Sequence, residues 1–147
     1  MGILDSMNIG AEALKTQGLR LDTHAKNVAN VDTPNYIRKI PVLNEVNDLS
    51  FSGVMSEMQR GVFISGSSTY LKGGVTFSGL VEDPTLGDKI YKPGHPDADK
   101  DGYIRASNVN PMVEMADAML AQRAYEANLA LINITKSMAL KAVEIGK

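Results

Sequence analysis

Two stretches of the chain, one near each end, alternate apolar and polar positions with the period of a helix. From about Leu4 to Val28 the apolar positions follow a heptad, with Leu4, Ala11, Gly18 and Ala25 in one row and Met7, Leu14, Leu21 and Val28 in the other. One row is largely small and the other long, so a neighbouring helix backbone can approach closely. Ile9, Ala13, Leu19 and Ala29 add apolar surface on other sides, and a helix of that kind needs several neighbours.

A second helix is predicted over Pro111 to Ile145. Asn110 is a suitable N-cap, Pro111 fits the first helical position, Glu114 complements the positive end of the helix dipole, and Gly146 stands where the helix should stop. Its seam runs Val113, Leu120, Ala124, Ala127, Leu131, Ile134, Met138 and Ile145, with Asp117 and Lys141 as polar interruptions. At 1.5 Å per residue the helix would be about 50 Å long, more than the diameter of a small domain.

Between the helices the chain is rich in glycine, serine and proline. Tyr36–Ile40, Gly61–Ser65, Gly74–Val81 and Tyr103–Arg105 read as short strands. Gly73-Gly74, Asp83-Pro84 and Pro93-Gly94-His95-Pro96 punctuate them as loops, and Glu45 to Gln59 fits a short helix or an irregular loop equally. The predicted fold is α+β: long N- and C-terminal heptad helices, forming a coiled-coil-like pair or an inter-subunit bundle, flank a small, irregular β-rich domain. The segments are a helix over 1–30, the β-rich region over 31–110 with an insert at about 45–72, and a helix over 111–147.

Composition narrows the function classes. The 147 residues carry a formal net charge of -2, which gives no electrostatic footprint for nucleic acid or anionic lipid. There is no cysteine, so disulfides and thiolate metal sites are excluded. Tryptophan is also absent and aromatics are sparse, against a base-stacking platform. No stretch approaches the roughly 20 apolar residues of a spanning helix, so no membrane insertion is expected. The opening MGILDSMNIGAEALKTQG lacks the basic start, apolar run and small-residue site of a cleaved signal peptide.

Candidate chemistry is thin. His24 and His95 have no histidine four residues away, so no metal or cofactor site is expected, and no motif pairs a nucleophile with a base. Asn133-Ile134-Thr135 fits the glycosylation sequon but falls inside the predicted helix. Met112, Met115, Met119 and Met138 read first as adaptable packing. Asp97, Asp99, Asp101 and Gly102 match the start of an EF-hand loop, which makes a calcium-binding interaction protein a competing reading. The twelfth position is Asn108, however, and Pro93 to Pro96 break any entering helix, so Asp101-Gly102 reads as a turn into the Tyr103–Arg105 strand.

Asn27-Val28-Ala29-Asn30-Val31-Asp32-Thr33-Pro34-Asn35-Tyr36 resembles the N-terminal signature of the bacterial flagellar axial proteins of rod and hook, with Asn27, Asn30, Thr33, Pro34 and Tyr36 carrying the likeness. Further on come Tyr91-Lys92-Pro93-Gly94-His95-Pro96, Gly102-Tyr103, Asn108-Val109 and Arg123-Ala124-Tyr125-Glu126-Ala127-Asn128, which look like the proximal rod family, FlgC. The likeness covers about residues 3–40 and 74–147; the stretch from Glu45 to Lys72 matches nothing in the family pattern. It implies a non-enzymatic subunit without cofactor. Such a subunit is exported unfolded by the flagellar type III apparatus without a cleaved signal peptide, and assembles in the periplasm with copies of itself and other rod proteins into the drive shaft. The terminal helices would form the inner tube and the β-rich region the outer domain. Leu14, Gly18, Leu21, Ala25, Val28, Leu120, Ala124, Ala127, Leu131, Ile134 and Met138 are then the expected assembly interface. A related rod component of the FlgB type is the alternative, although that family lacks the glycine-tyrosine and asparagine-valine segment.

Overall fold

A computed structural model describes residues 3–46 and 73–145. The predicted Gly61–Ser65 strand and the ambiguous stretch beyond Val46 lie outside the described residues. In chain order the elements are helix α1 (Ile3–Ala29), strands β1 (Lys39–Glu45), β2 (Val75–Glu82), β3 (Lys89–Tyr91) and β4 (Tyr103–Arg105), and helix α2 (Pro111–Ile145). Two helices flanking a small strand-containing region make the chain α+β.

The start of α2 and the end of α1 lie where their local hydrogen bonds direct. Asn110 Oδ1 accepts the backbone N–H of Met112 at 3.1 Å and of Val113 at 3.4 Å, meeting two of the donors that a helix N-terminus leaves free. At the other helix, Asn30 N–H bonds back to Asn27 O and Val31 N–H to Val28 O, closing α1 with tight final turns. Asn35 then takes a left-handed conformation, φ 60°, one that asparagine tolerates better than most residues.

The first strand starts later than the sequence pattern predicts. Tyr36 to Arg38 do not join a ladder, because Tyr36 N–H bonds Thr33 O and Arg38 N–H bonds the Asn108 side chain. Pairing begins at Lys39 and runs through Pro41, which is tolerated because, among the described residues, β1 pairs on one side only, with β2 in a two-stranded sheet. Asp83 N–H to Arg38 O at 2.9 Å and Val46 N–H to Gly74 O at 3.0 Å bracket the pair and make it antiparallel. The β3 strand has only three residues, too few for an alternating pattern, and is absent from the sequence prediction. It pairs antiparallel with β4 in the register Lys89 to Arg105, Ile90 to Ile104 and Tyr91 to Tyr103. The two tyrosine rings lie 5.2 Å apart at 60°, a tilted pair.

The chain divides into two compact units. One comprises the described residues of 1–16, 43–77 and 125–147, and the other comprises 17–42 and 78–124. In the first, a methyl group added at Gly10 would stand 2.8 Å from Ile132 Cγ1, so glycine there lets α1 and α2 approach closely. Thr16 Oγ1 donates to Val75 O at 3.1 Å in the same unit. In the second, an added methyl at Gly87 would meet Ala106 O at 1.9 Å, which fixes the 83–88 segment against the chain leaving β4.

Candidate functional site

The most organised chemistry lies in the second unit, around a carboxylate. Glu114, in the first turn of α2, is fully buried. Its Oε1 accepts Arg38 Nε–H at 2.6 Å, and its Oε2 accepts Asn27 Nδ2–H at 2.8 Å and faces His24 Nδ1 at 2.8 Å. A carboxylate accepts only, so His24 carries its proton on Nδ1. Burial alone raises the Glu114 pKa, but the hydrogen bonds from Asn27, His24 and Arg38 and the charge of Arg38 outweigh it and hold the group below its ordinary 4.5. Arg38 is pushed up in turn, mainly by its hydrogen bond to Glu114. Tyr36 is raised by burial and then by the nearby Glu114 charge.

Asn27 is the hub. It is wholly buried and uses all its hydrogen-bonding capacity. One amide hydrogen goes to Glu114 and the other to Lys39 O at 2.8 Å, while Oδ1 accepts Lys39 N–H and Tyr36 Oη–H, both at 3.0 Å. The side-chain amide thus pairs with both backbone groups of Lys39 as a neighbouring strand would, which is why β1 begins there. Asn108 makes a parallel bridge. Its Oδ1 accepts Arg38 N–H at 2.6 Å and its amide donates to Thr85 O at 2.7 Å. Together, Asn27 and Asn108 fasten the exit of α1, the start of β1, the end of β2 and the start of α2.

The ligand atoms of His24, Glu114 and Asp117 lie within 4.8 Å of one another, close enough to hold a metal ion. The donor set does not fit one, because Arg38 already occupies the cation's place. Its Nε is 2.6 Å from Glu114 and its Nη2 is 3.9 Å from Asp117, while Nη1 lies 3.5 Å from Asp83. A cleft of about 340 Å³ opens beside the network, lined in part by Tyr36, Asp83, Leu86, Arg105 and Asn108. Three of its polar groups are already committed: Asp83 Oδ1 accepts Thr85 N–H, Tyr36 Oη donates to Asn27, and Asn108 spans two backbones. In the aspartate loop, Asp99 Oδ1 accepts the N–H groups of Asp101 and Tyr103 at 3.0 and 2.8 Å, and Gly102 sits at φ 80°. That carboxylate builds the turn into β4.

The sequence-predicted residues fall into two sets. Of the signature residues, Asn27, Tyr36 and Asn108 meet in the buried network, Asn30 and Thr33 bond to each other in the turn after α1, and Gly102 and Tyr103 form the β4 turn. Val109 is buried, whereas Pro34 and Asn128 are half-buried and Arg123 and Tyr125 are exposed along α2 or the turn. Sequence reasoning missed His24, Arg38 and Glu114 as a group. The only local signal was the acidic residue in the first turn of α2, which serves the network as well as the helix dipole.

The expected interface residues point outward. Leu21, Ala25, Leu120, Ala127, Leu131, Ile134 and Met138 are exposed, and Leu14, Gly18, Val28 and Ala124 are half-exposed. A methyl group added at Gly18 would meet nothing within 4 Å. Over residues 16–27 the arrangement is inverted, since the buried positions are Thr16, Thr23, His24 and Asn27 and the apolar ones face away. On α2, most predicted residues directly precede one that turns inward: Val113 before Glu114, Leu120 before Ala121, Leu131 before Ile132, Ile134 before Thr135. The predicted seam is therefore a second face, about 100° around the axis from the one used within the subunit. Among the described residues, no helix is long and apolar enough to cross a membrane.

Two family models match the chain. Residues 7–36 match the flagella basal body rod protein family, and residues 100–145 match the C-terminal family of the flagellar basal body rod FlgEFG proteins. Relatives named flagellar basal-body rod protein FlgC align over the whole of both chains. The one from Bacillus subtilis is 36% identical, one from Buchnera aphidicola (subsp. Acyrthosiphon pisum) 32%, and that of Salmonella typhimurium 30%.

Proposed function

Because the chain belongs to the FlgC family and is a structural subunit of the flagellar basal-body rod, we propose that it polymerises through the outward apolar faces of α1 and α2. The observation that carries this reading is the inversion of α1 over residues 16–27, with Thr16, Thr23, His24 and Asn27 buried while Leu21 and Ala25 are exposed and the flanking Leu14 and Val28 are only half-covered. Burying threonine, histidine and asparagine on a helix while its apolar row stays exposed or half-covered reverses the usual preference of a monomeric helix, and fits a row that has another destination. Several neighbouring helices around each subunit cover it, through heterologous contacts that propagate a helical assembly.

In this account residues 1–30 and 111–147 are the assembly helices and about 31–110 the outer β-rich region. The subunit crosses to the periplasm through the flagellar type III export apparatus without losing a signal peptide, and there joins copies of itself and other rod proteins to transmit torque. The buried Asn27–Arg38–Glu114 network fixes how α1 passes into the β-rich region, so each subunit offers its faces in the same register. Its chemistry is structural: Asn27, His24 and Arg38 all bond the Glu114 carboxylate, and His24 Nε2 is the buried side-chain atom left without a partner among the described residues.

A double variant, Leu21→Glu with Leu131→Glu, places charge on both outward faces without touching the buried network. In a strain lacking its own copy of the gene, the variant should be present and helical by circular dichroism, yet leave the cells non-motile and without completed rods. Full motility would overturn the reading.

A further inference from the structure

Helix α2 runs unbroken from Pro111 to Ile145, and its predicted seam stays uncovered within the subunit: Leu120, Ile134 and Met138 are 60%, 61% and 64% exposed. The two polar interruptions of that seam, Asp117 and Lys141, carry opposite charges about 36 Å apart along the axis. The Asp117 side chain is 36% exposed, with Arg38 Nη2 at 3.9 Å, the edge of ion-pair range, so it has room for a second cation. Lys141 is exposed and makes no ion pair among the described residues.

Two copies of this seam laid antiparallel, centred on Leu129, put every seam residue opposite another. Asp117 of each copy then meets Lys141 of the other, and Leu120 meets Met138. In the two layers between, the small Ala124 meets the large Ile134, and Ala127 meets Leu131. Any heptad seam permits such an overlay by its spacing alone, but here the content matches as well, with opposite charges in one layer and small against large in two. A parallel pair in register would set Asp117 against Asp117, Lys141 against Lys141 and alanine against alanine, repelling in two layers and underfilling two more. Sliding the antiparallel pair by one heptad in either direction breaks the charge match.

We propose that the free subunit closes into an antiparallel homodimer through the α2 seam, held in register by Asp117 against Lys141 of the second copy, and that this dimer withholds the seam from assembly. The contact is isologous, so it closes on itself and does not propagate. Subunits joined head to tail in a helical assembly all face the same way along it, so an antiparallel pair must part before either copy joins. The withholding rests on the polymerisation reading above; the dimer rests on the exposure, size order and charge order of the seam.

The test uses the full-length protein, whose lack of cysteine lets introduced thiols report the register without background. Under mild oxidation a mixture of A124C and I134C should form a disulfide-linked dimer, whereas in either variant alone the two thiols lie about 15 Å apart along the axis and should not link. Linking of a single variant as readily as the mixture would overturn the antiparallel register, and a wild type that sediments as a monomer at every concentration would overturn the dimer. K141E should weaken the wild-type dimer at least about fivefold, because two attractive pairs become repulsive. In a D117N background, which keeps the shape of the side chain, the same change should cost less than about twofold; equal weakening in both backgrounds would overturn the charge pairing. Under conditions where the reduced protein forms polymers that pellet on ultracentrifugation, the linked dimer should stay in the supernatant until it is reduced. Pelleting while linked would overturn the withholding role. Reduced protein that never pellets, alone or with other rod proteins, would overturn the polymerisation reading and the withholding role with it, with the cross-link still deciding the dimer.

Discussion

Replacing Asn27 by alanine removes the hub of the buried network, and its cost can be worked from the bonds it makes. Two bonds to the Lys39 backbone and one from Tyr36 are lost, at about 1 kcal/mol each, together with one to the Glu114 carboxylate at about 1.5–3 kcal/mol. The gross loss is about 4.5–6 kcal/mol, and water entering the vacated space restores part of it, leaving about 3–5 kcal/mol. Urea unfolding followed by circular dichroism and tyrosine emission measures the difference. Asn27→Asp is a sharper companion, since it keeps the shape but sets a second carboxylate 2.8 Å from Glu114. It should be as damaging at pH 7 and partly recover at mildly acidic pH, where the pair shares a proton. A loss under about 1 kcal/mol for Asn27→Ala would refute the claim that this residue locks the chain.

Other expectations follow from the same geometry. Glu114 binds a proton more weakly in the fold than in the unfolded chain, so its contribution is present above about pH 4.5 and is lost as pH falls through its lower folded value; a pH series of unfolding midpoints should show that acid slope, and Glu114→Gln should flatten it. Gly87→Ala would bring a methyl group within 1.9 Å of Ala106 O, a backbone atom that cannot step aside, and should cost about 3 kcal/mol or more in the same assay. Gly18→Ala has free space within the subunit and should raise monomer stability by about 0.5–1 kcal/mol. Gly18→Leu should leave the monomer folded but abolish motility if that face is covered by neighbours.

The helices were legible because capping and periodicity are local. Asn110 and Pro111 mark the start of α2, and the turn through Thr33, Pro34 and Asn35 follows the end of α1. The heptad rows were also visible, but a period cannot say whether a row packs within its own subunit, and here the inward faces are carried by the polar Thr23, His24 and Asn27 and by Ala121. The strands were less legible, since β3 is too short to alternate and the start of β1 is set by Asn27 from another part of the chain. The network was hidden for the same reason. His24 and Asn27 share a face of α1 at a three-residue spacing, but Arg38 and Glu114 stand apart in sequence, and only the fold brings 24 and 114 to 2.8 Å.

The central claim is that the uncovered rows of α1 and α2 are interfaces between subunits. A density map of an intact basal body, with this chain traced at side-chain resolution, tests it most directly. The account predicts Leu14, Leu21, Val28, Leu131, Ile134 and Met138 packed against helices of neighbouring subunits. Finding those side chains facing solvent, with rod contacts made by the β-rich region alone, would contradict it.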